Sequence, residues 1–379
     1  MVVQLFNSGI VSGPENLVLP AIPYFSERHV VVFLVERRLG ERGRLPIEHA
    51  RQLGLRAEAV EVRSRVDLLA VHQLRKLLRS LKPKVVHAHD VKASSYLWLA
   101  SRGEEWKKVS THHGVEGRPD WKTKAYEYFY SQVVLPRMNV AITVSREDEF
   151  TLKRRGLENV LFVANGATRR LWKAGERETE RKRIRSLWNV ELGGITDDTH
   201  VVGMLARLSA EKRHLYFLHT LACLREKHPS LKWRFLAFGS GTMEQSLRAE
   251  AKRLGIDNAC HWMGYRPDAA GLVPGLDLVA FSSQAEGFPI AAIEAGWAGV
   301  PIFASNVGAL PELVSTGRTA GGLIFPREQE PRHTAESLAW LLGHPKERER
   351  LGTRLQNRVA REYSAQAWVG RMEELYRTI

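Results

Sequence analysis

The sequence predicts an α/β fold of two consecutive Rossmann-like units, each a parallel sheet flanked by helices. Three observations lead there. Short apolar runs alternate with longer stretches of helical periodicity, the pattern of parallel α/β units. That alternation runs through twice, interrupted near residue 170 by a charged stretch. A chain of 379 residues is also long enough for two domains that each bury a core.

In chain order, the strand candidates of the first half are residues 2–6, 30–35, 84–88, 108–111, 140–144 and 160–163. Residues 67–81 predict a helix: Val71, Leu74, Leu78 and Leu81 share one face, and His72, Arg75, Lys76 and Arg79 another. Residues 169–188 read as a charged helix, followed by a polar loop with Gly193, Gly194, Asp197 and Asp198. A second series of strands follows at 201–205, 233–238, 261–262, 278–281 and 302–304. From about Pro345 the chain is helical and charged. The expected domains are 1–170, 171–360, and a terminal helix over 361–379 that returns to the first domain.

Composition narrows the class. Hydrophobic residues make up 44% and charged residues 26%, as in an ordinary globular protein. The two cysteines, Cys223 and Cys260, have no metal-ligand neighbour and cannot build a disulfide framework, so a reducing cytoplasm is expected. The beginning of the sequence carries no signal-peptide pattern, and no apolar run is long enough to span a bilayer. Residues 1–170 hold 28 Lys and Arg against 18 Asp and Glu, so +10 of the net +14 sits in the first half. Such a bias fits an anionic partner: a phosphorylated acceptor, a membrane surface or a nucleic acid.

In open α/β sheets, ligands bind beyond the carboxyl ends of the strands, where helix N-termini favour phosphate. Attention therefore goes to residues that follow strands. After residues 278–281, a loop carries Glu286 and Gly287, and an apolar helix begins near Pro289 with Glu294 two turns beyond Glu286. One carboxylate can accept hydrogen bonds from sugar hydroxyls while the other binds a ribose diol. Taken singly, each also fits an acid at a helix N-terminus or a solvated side chain. After residues 201–205 come Arg207 and, five residues on, Lys212. An arginine fork and a lysine point charge can together stabilise a leaving diphosphate without Mg²⁺. A metal-dependent transferase needs an Asp-x-Asp-type carboxylate pair, and none follows a strand here. His87 and His89 follow a different strand from His112 and His113 and lack an obvious acidic partner. No metal and no cofactor are expected.

The motif E-x₇-E (Glu286, Glu294), with Gly287-Phe288 after the first Glu, an Ala-Gly-Val-Pro turn, a strand and a Gly-x-x-Pro-Glu loop ending at Glu312, resembles family 4 of the retaining GT-B glycosyltransferases. The likeness is most specific over residues 201–314. It implies that Glu286 contacts the transferred sugar and Glu294 the nucleotide ribose. The backbone of Gly287, Phe288 and Pro289, with Ile290 beside it, would line the sugar pocket. Arg207 and Lys212 would clamp the donor diphosphate, and Gly203, Gly239 and Gly264 would lie on the donor side. Thr111, His113 and Gly114 match the pattern Thr-x-His-Gly, which would put His113 near the donor sugar as a catalytic group. The loop SGIVSGPEN resembles a Gly-Gly-x-Glu turn with Ser12 for the first glycine, and would bring Gly13 toward the donor phosphate. Asn165 and Gly166 match an Asn-Gly position, and Ala309 stands where many relatives have a second glycine.

The resemblance implies a retaining, metal-independent transfer from a nucleotide-sugar to an acceptor hydroxyl, by front-face displacement in a cleft between the domains. Residues 118–130 interleave bases with aromatics, and the basic face of helix 67–81 could lie on an anionic membrane. An anionic or membrane-bound acceptor on the cytoplasmic side of a membrane follows as an expectation. Two rivals differ in class. A GT-B nucleotide-sugar 2-epimerase should lack the E-x₇-E loop and its Arg/Lys clamp. A nucleic-acid-binding protein would explain the charge but shows no nucleic-acid module here, so no nucleic-acid partner is expected.

Overall fold

Runs that are apolar on both faces belong in sheets covered on both sides, and every strand pairing found here is parallel. In the computed structural model the described residues are 1–7, 9, 11, 13–64, 66–112, 126–167, 172, 174–314 and 317–379. The chain divides into one unit of Met1–Thr168 with Tyr363–Ile379 and another of Arg169–Glu362.

The sheet of the first unit contains β1 (Val2–Phe6), β2 (His29–Glu36), β3 (Ala57–Val62), β4 (Val85–Ala88), β5 (Lys107–His112), β6 (Val140–Thr143) and β7 (Val160–Phe162). Their order is β3-β2-β1-β4-β5-β6-β7. The second sheet contains β8 (His200–Leu205), β9 (Trp233–Phe238), β10 (Cys260–Gly264), β11 (Leu278–Phe281), β12 (Ile302–Ser305) and β13 (Gly322–Phe325), in the order β10-β9-β8-β11-β12-β13. Both orders reverse between the first and fourth strands. These switch points, β1/β4 and β8/β11, are where an open sheet forms its crevice.

Two strands exceed the sequence expectation. Strand β3 (AEAVEV) alternates Glu with small apolar residues, burying Ala57, Val60 and Val62 on the sheet edge. Strand β13 (GLIF) has four residues, opens on the second of two adjacent glycines and ends before Pro326, and reads as loop without its neighbour β12. Helix Leu68–Leu81 starts where expected because the Asp67 side chain accepts from the amides of Leu69 and Ala70. It buries Ala70, Leu74 and Leu78, each large one contributing about 1.5–3 kcal/mol of transfer free energy. The charged helix of the linker region runs Ala174–Leu192, longer at its carboxyl end than its sequence suggests.

Asp277, just before β11, holds the two switch-point strands of the second unit together. Its carboxylate accepts from the Val201 amide of β8 at 2.7 Å and from Arg181 at 2.9 Å, and it also pairs with Arg185. Burial pushes its acidity down, but the Arg185 and Arg181 guanidiniums outweigh this and hold its carboxyl below the usual carboxylate range.

The last helix, Ala365–Thr378, belongs to the first unit, some 200 residues after β7. The chain re-enters where the Ala167 amide donates to Tyr363 O at 3.0 Å and the Ala365 amide to Ala167 O at 3.2 Å. A Cβ on Gly166 would collide with Ser364 O, so the Asn165-Gly166 pair has a packing reason for its glycine. Further in, His89 Nε2 meets Gln4 Oε1 at 2.6 Å, and the Gln4 amide nitrogen lies 3.1 Å from His29 Nδ1 and 3.3 Å from the Tyr376 hydroxyl. The hydroxyl sits 2.7 Å from His87 Nδ1, and His87 Nε2 lies 2.6 Å from Thr111 Oγ1. The chain of donors is consistent when His87, His89 and His29 are all neutral.

Candidate functional site

The loop after β8 is fastened to its neighbours through backbone contacts. The Ala206 amide donates to Phe238 O at 3.0 Å and the Leu208 amide to Ser240 O at 3.1 Å. Gly239 has φ +140°, and a Cβ there would strike Ala206 O; one on Gly241 would strike Leu208 O. The Gly239 amide in turn donates to Gly264 O at 2.8 Å. The loops ending β8, β9 and β10 thus form one backbone-linked row, and both glycines of the G-x-G are required for its close approach. Gly203 lies inside β8, where a side chain would collide with Leu276.

Lys212 ends the short turn Ala210–Lys212 that precedes helix His214–Lys227, and Arg213 between them adopts φ 51°. The Ser282 hydroxyl, from the residue after β11, donates to the carbonyls of both Lys212 and Arg213 at 3.0 Å. The Gln284 amide donates to Glu211 O at 2.7 Å. These bonds close the switch point, so the loops after β8 and β11 become one surface. Across it, Lys212 Nζ donates to Glu286 Oε1 at 2.7 Å, and the Ser283 hydroxyl donates to the same oxygen at 2.6 Å. The Lys212 and Glu286 side chains are only 18% and 6% exposed. Arg207 is 55% exposed and lies 3.6 Å from Glu211, whose carboxylate also accepts from Ser209.

Glu286 does not cap the following helix, as its position before Pro289 suggests; its carboxylate is committed to Lys212 and Ser283. Helix Ile290–Trp297 starts instead on Pro289, with Phe288 buried. Gly308 supports Glu286 from behind: it has φ +53°, and a Cβ would collide with Glu286 O. The Ala309 amide donates to Gly287 O at 3.1 Å, so alanine at this position serves the loop as glycine would. Ala292, Ile293, Ala295 and Gly296 are buried, which leaves Glu294 on the less buried face with Ile290 and Ala291. His214, beside Lys212, is buried with neither ring nitrogen hydrogen-bonded, and burial, with the Lys212 charge, lowers it to about 4.

In the first unit, Gly13 opens helix Gly13–Ala21 and is exposed. His113 and Gly114 lie outside the described residues, as do Ser12, Trp121 and residues 118–125 of the aromatic segment. The Asp90 carboxylate ties the two switch-point loops together, accepting from the Asn7 amide after β1 and the Ala93 amide after β4, both at 2.7 Å. Burial pushes Asp90 up to about 6, and the neighbouring Glu15 adds to this. Among the described residues, no group of three or more His, Cys, Asp or Glu is gathered to hold a metal ion.

The family described as Glycosyl transferases group 1 matches residues 191–358, and Glycosyltransferase Family 4 matches residues 11–168. The chain belongs to the family 4 glycosyltransferases. Among curated relatives, the D-inositol 3-phosphate glycosyltransferase of Corynebacterium efficiens is 31% identical over 228 residues, covering 58% of this chain and 51% of that protein. The glycogen synthase of Mycobacterium tuberculosis is 27% identical over 260 residues, covering 66% of this chain and 58% of that protein. The chain thus spans about half the length of the curated relatives it matches. Anabaena HepE, solved in complex with UDP, superposes with a TM-score of 0.81 at 18% identity, covering 100% of both chains. Its likeness establishes the GT-B fold of two Rossmann-like units.

Within this glycosyltransferase family member, Arg207, Lys212, Glu286 and the Gly287–Pro289 segment all fall on the joined loops after β8 and β11, and Ile290 and Glu294 on the helix that leaves them. Sequence reasoning missed Ser282, Ser283, His214 and Asp90. The signal for the serines is their place directly after the apolar run of β11. Asp90 likewise follows β4, in the sequence HAHD. Nothing local marks His214, whose burial arises from packing.

Proposed function

We propose that the chain is a retaining, metal-independent glycosyltransferase acting from a nucleoside-diphosphate sugar on an acceptor hydroxyl. The observation that carries the reading is the Lys212–Glu286 pair across the β8/β11 switch point, at 2.7 Å. The pair lies at the carboxyl ends of adjacent strands, which supports reading the lysine as a cation for phosphate and the glutamate as a carboxylate for sugar hydroxyls. In this reading Arg207 and Lys212 hold the diphosphate, Glu286 positions the sugar against Gly287–Ile290, and Glu294 binds the ribose. The second unit is then the donor side and the first the acceptor side.

The bond from the anomeric carbon to the phosphate oxygen breaks, and its electron pair leaves with the diphosphate. The acceptor oxygen bonds to the same face of that carbon and its proton passes to the leaving phosphate. Lys212 and Arg207 meet the charge that grows on the diphosphate, which fixed cations can do without reorganisation. The two cations support transfer without a metal, and the family resemblance supports retention.

The acceptor in this reading is anionic or membrane-bound, met on the cytoplasmic face of a membrane. The charge of residues 1–170 supports it, and the name D-inositol 3-phosphate glycosyltransferase of the relatives denotes a phosphate-bearing compound. No described helix is long and apolar enough to cross a membrane. Thermal melts across UDP-, GDP- and ADP-sugars test the donor. One class should stabilise the protein by about 2.7 kcal/mol at a hundredfold excess over its Kd. No stabilisation by any of them, with the protein folded, overturns the reading.

A further inference from the structure

A cavity of about 420 Å³ opens in the second unit at the amino ends of β8 and β9, lined by Arg225, His228, Lys232 and Arg234 among others. Arg207 and Gly239 follow the opposite ends of the same strands. Each strand has six residues, so about 20 Å separates the two edges. The volume lies in the range of small-molecule sites.

Its two arginines are under-compensated, while His228 meets Glu336 at 3.1 Å. Arg225 spends its guanidinium on neutral acceptors, Gly255 O at 2.6 Å and Asn258 Oδ1 at 3.1 Å, while lying over the Trp233 ring. Arg234 donates to Trp233 O at 3.1 Å, and its Nε is buried without an acceptor. Among the described residues, neither arginine pairs with a carboxylate. Lys232 meets Asp198 at 2.6 Å, but both are well exposed, so the pair does little to neutralise the cavity. Gly194, with φ +65°, lies against the Arg234 guanidinium so closely that a Cβ would collide with it. A guanidinium held without a carboxylate beside it favours an anion at its exposed edge. Pro229 and Leu231 add an apolar wall beside the cations.

We propose that this cavity is a second ligand site that binds a phosphate group, free or as the monoester of a small metabolite, apart from the donor site. Phosphate matches the planar fork of Arg234 and the point charge of Lys232.

The test is calorimetric titration of the full chain carrying Lys212→Ala, which weakens phosphate binding at the donor loops. Inorganic phosphate and glycerol 3-phosphate are the probes, at constant ionic strength against chloride. Binding of at least one is expected. Arg234→Met should weaken it by roughly tenfold or more, as for loss of a charge-assisted hydrogen bond. Lys232→Ser, at an exposed position, should weaken it several-fold with the melting temperature unchanged. Tighter binding of glycerol 3-phosphate identifies an ester as the ligand, and equal binding identifies free phosphate. No heat from either probe, or binding unaltered in both Arg234→Met and Lys232→Ser, overturns the proposal.

Discussion

Lys212 and Glu286 are 74 residues apart in the chain and 2.7 Å apart in the fold, each the product of a different strand end. The lysine lies in the turn after β8 and the glutamate in the loop after β11. Ser282 fastens one loop to the other through two hydrogen bonds, and Ser283 holds the Glu286 carboxylate within its own loop. The ion pair is therefore a product of strand order.

Substitution at this pair should separate chemistry from folding. Lys212→Ala is expected to cost about 2–4 kcal/mol of transition-state stabilisation, as for other preorganised charges. Glu286→Ala should abolish transfer while far-ultraviolet circular dichroism stays native. Near-normal turnover of the Glu286 variant removes that residue from the site.

Glu294→Ala should act on binding instead. Its place on the half-buried face of helix Ile290–Trp297 leads us to expect lost affinity for the free nucleoside diphosphate, with smaller change in kcat. Titration of wild type and variant with the nucleotide measures this; equal affinities count against a ribose contact.

In the proposed mechanism Arg207 and Lys212 supply the positive charge, so activity should survive EDTA. Complete loss on chelation, restored by Mg²⁺ or Mn²⁺, would show that a metal shares the diphosphate.

Stability should fall in mild acid. Burial lowers His29 and His214 from 6.5 to about 4, so both are neutral in the fold. As pH falls below about 6.5 the unfolded chain takes up these protons first. The stabilisation is complete above that value and is lost progressively down to about 4. The loss should be on the order of 1–2 kcal/mol per ring by pH 5. Urea unfolding at pH 7 and pH 5 measures it, and His29→Gln should flatten the difference.

Anionic vesicles should bind the protein and neutral ones poorly, with binding reduced at high salt because exposed charges are screened within about 8 Å at physiological ionic strength. In helix Leu68–Leu81, Arg75 and Arg79 both engage Glu104, at 2.8 and 2.7 Å, so part of its basic face is already compensated. Flotation of the triple variant Arg75→Ser, Lys76→Ser, Arg79→Ser separates this helix from exposed Tyr126 and Tyr128. Absence from both vesicle types points to a soluble acceptor.

The sequence by itself determined the α/β class, most of the strands, and that Arg207, Lys212 and Glu286 lie on loops that follow strands. It could do so because apolar runs and residues just after them are local features, readable without knowing their neighbours. Strands β3 and β13 escaped because one alternates with glutamates and the other is four residues long, so each depends on a partner strand to form. Only the tertiary structure decided that Glu286 pairs with Lys212 and Ser283 and leaves the helix N-terminus alone. It also decided that His87 and His89 join Gln4 and Tyr376 in a buried network, and that Arg225 and Arg234 share a cavity. Hydrogen bonds and burial act over a few ångströms in space, and strand order sets which distant residues come within that range.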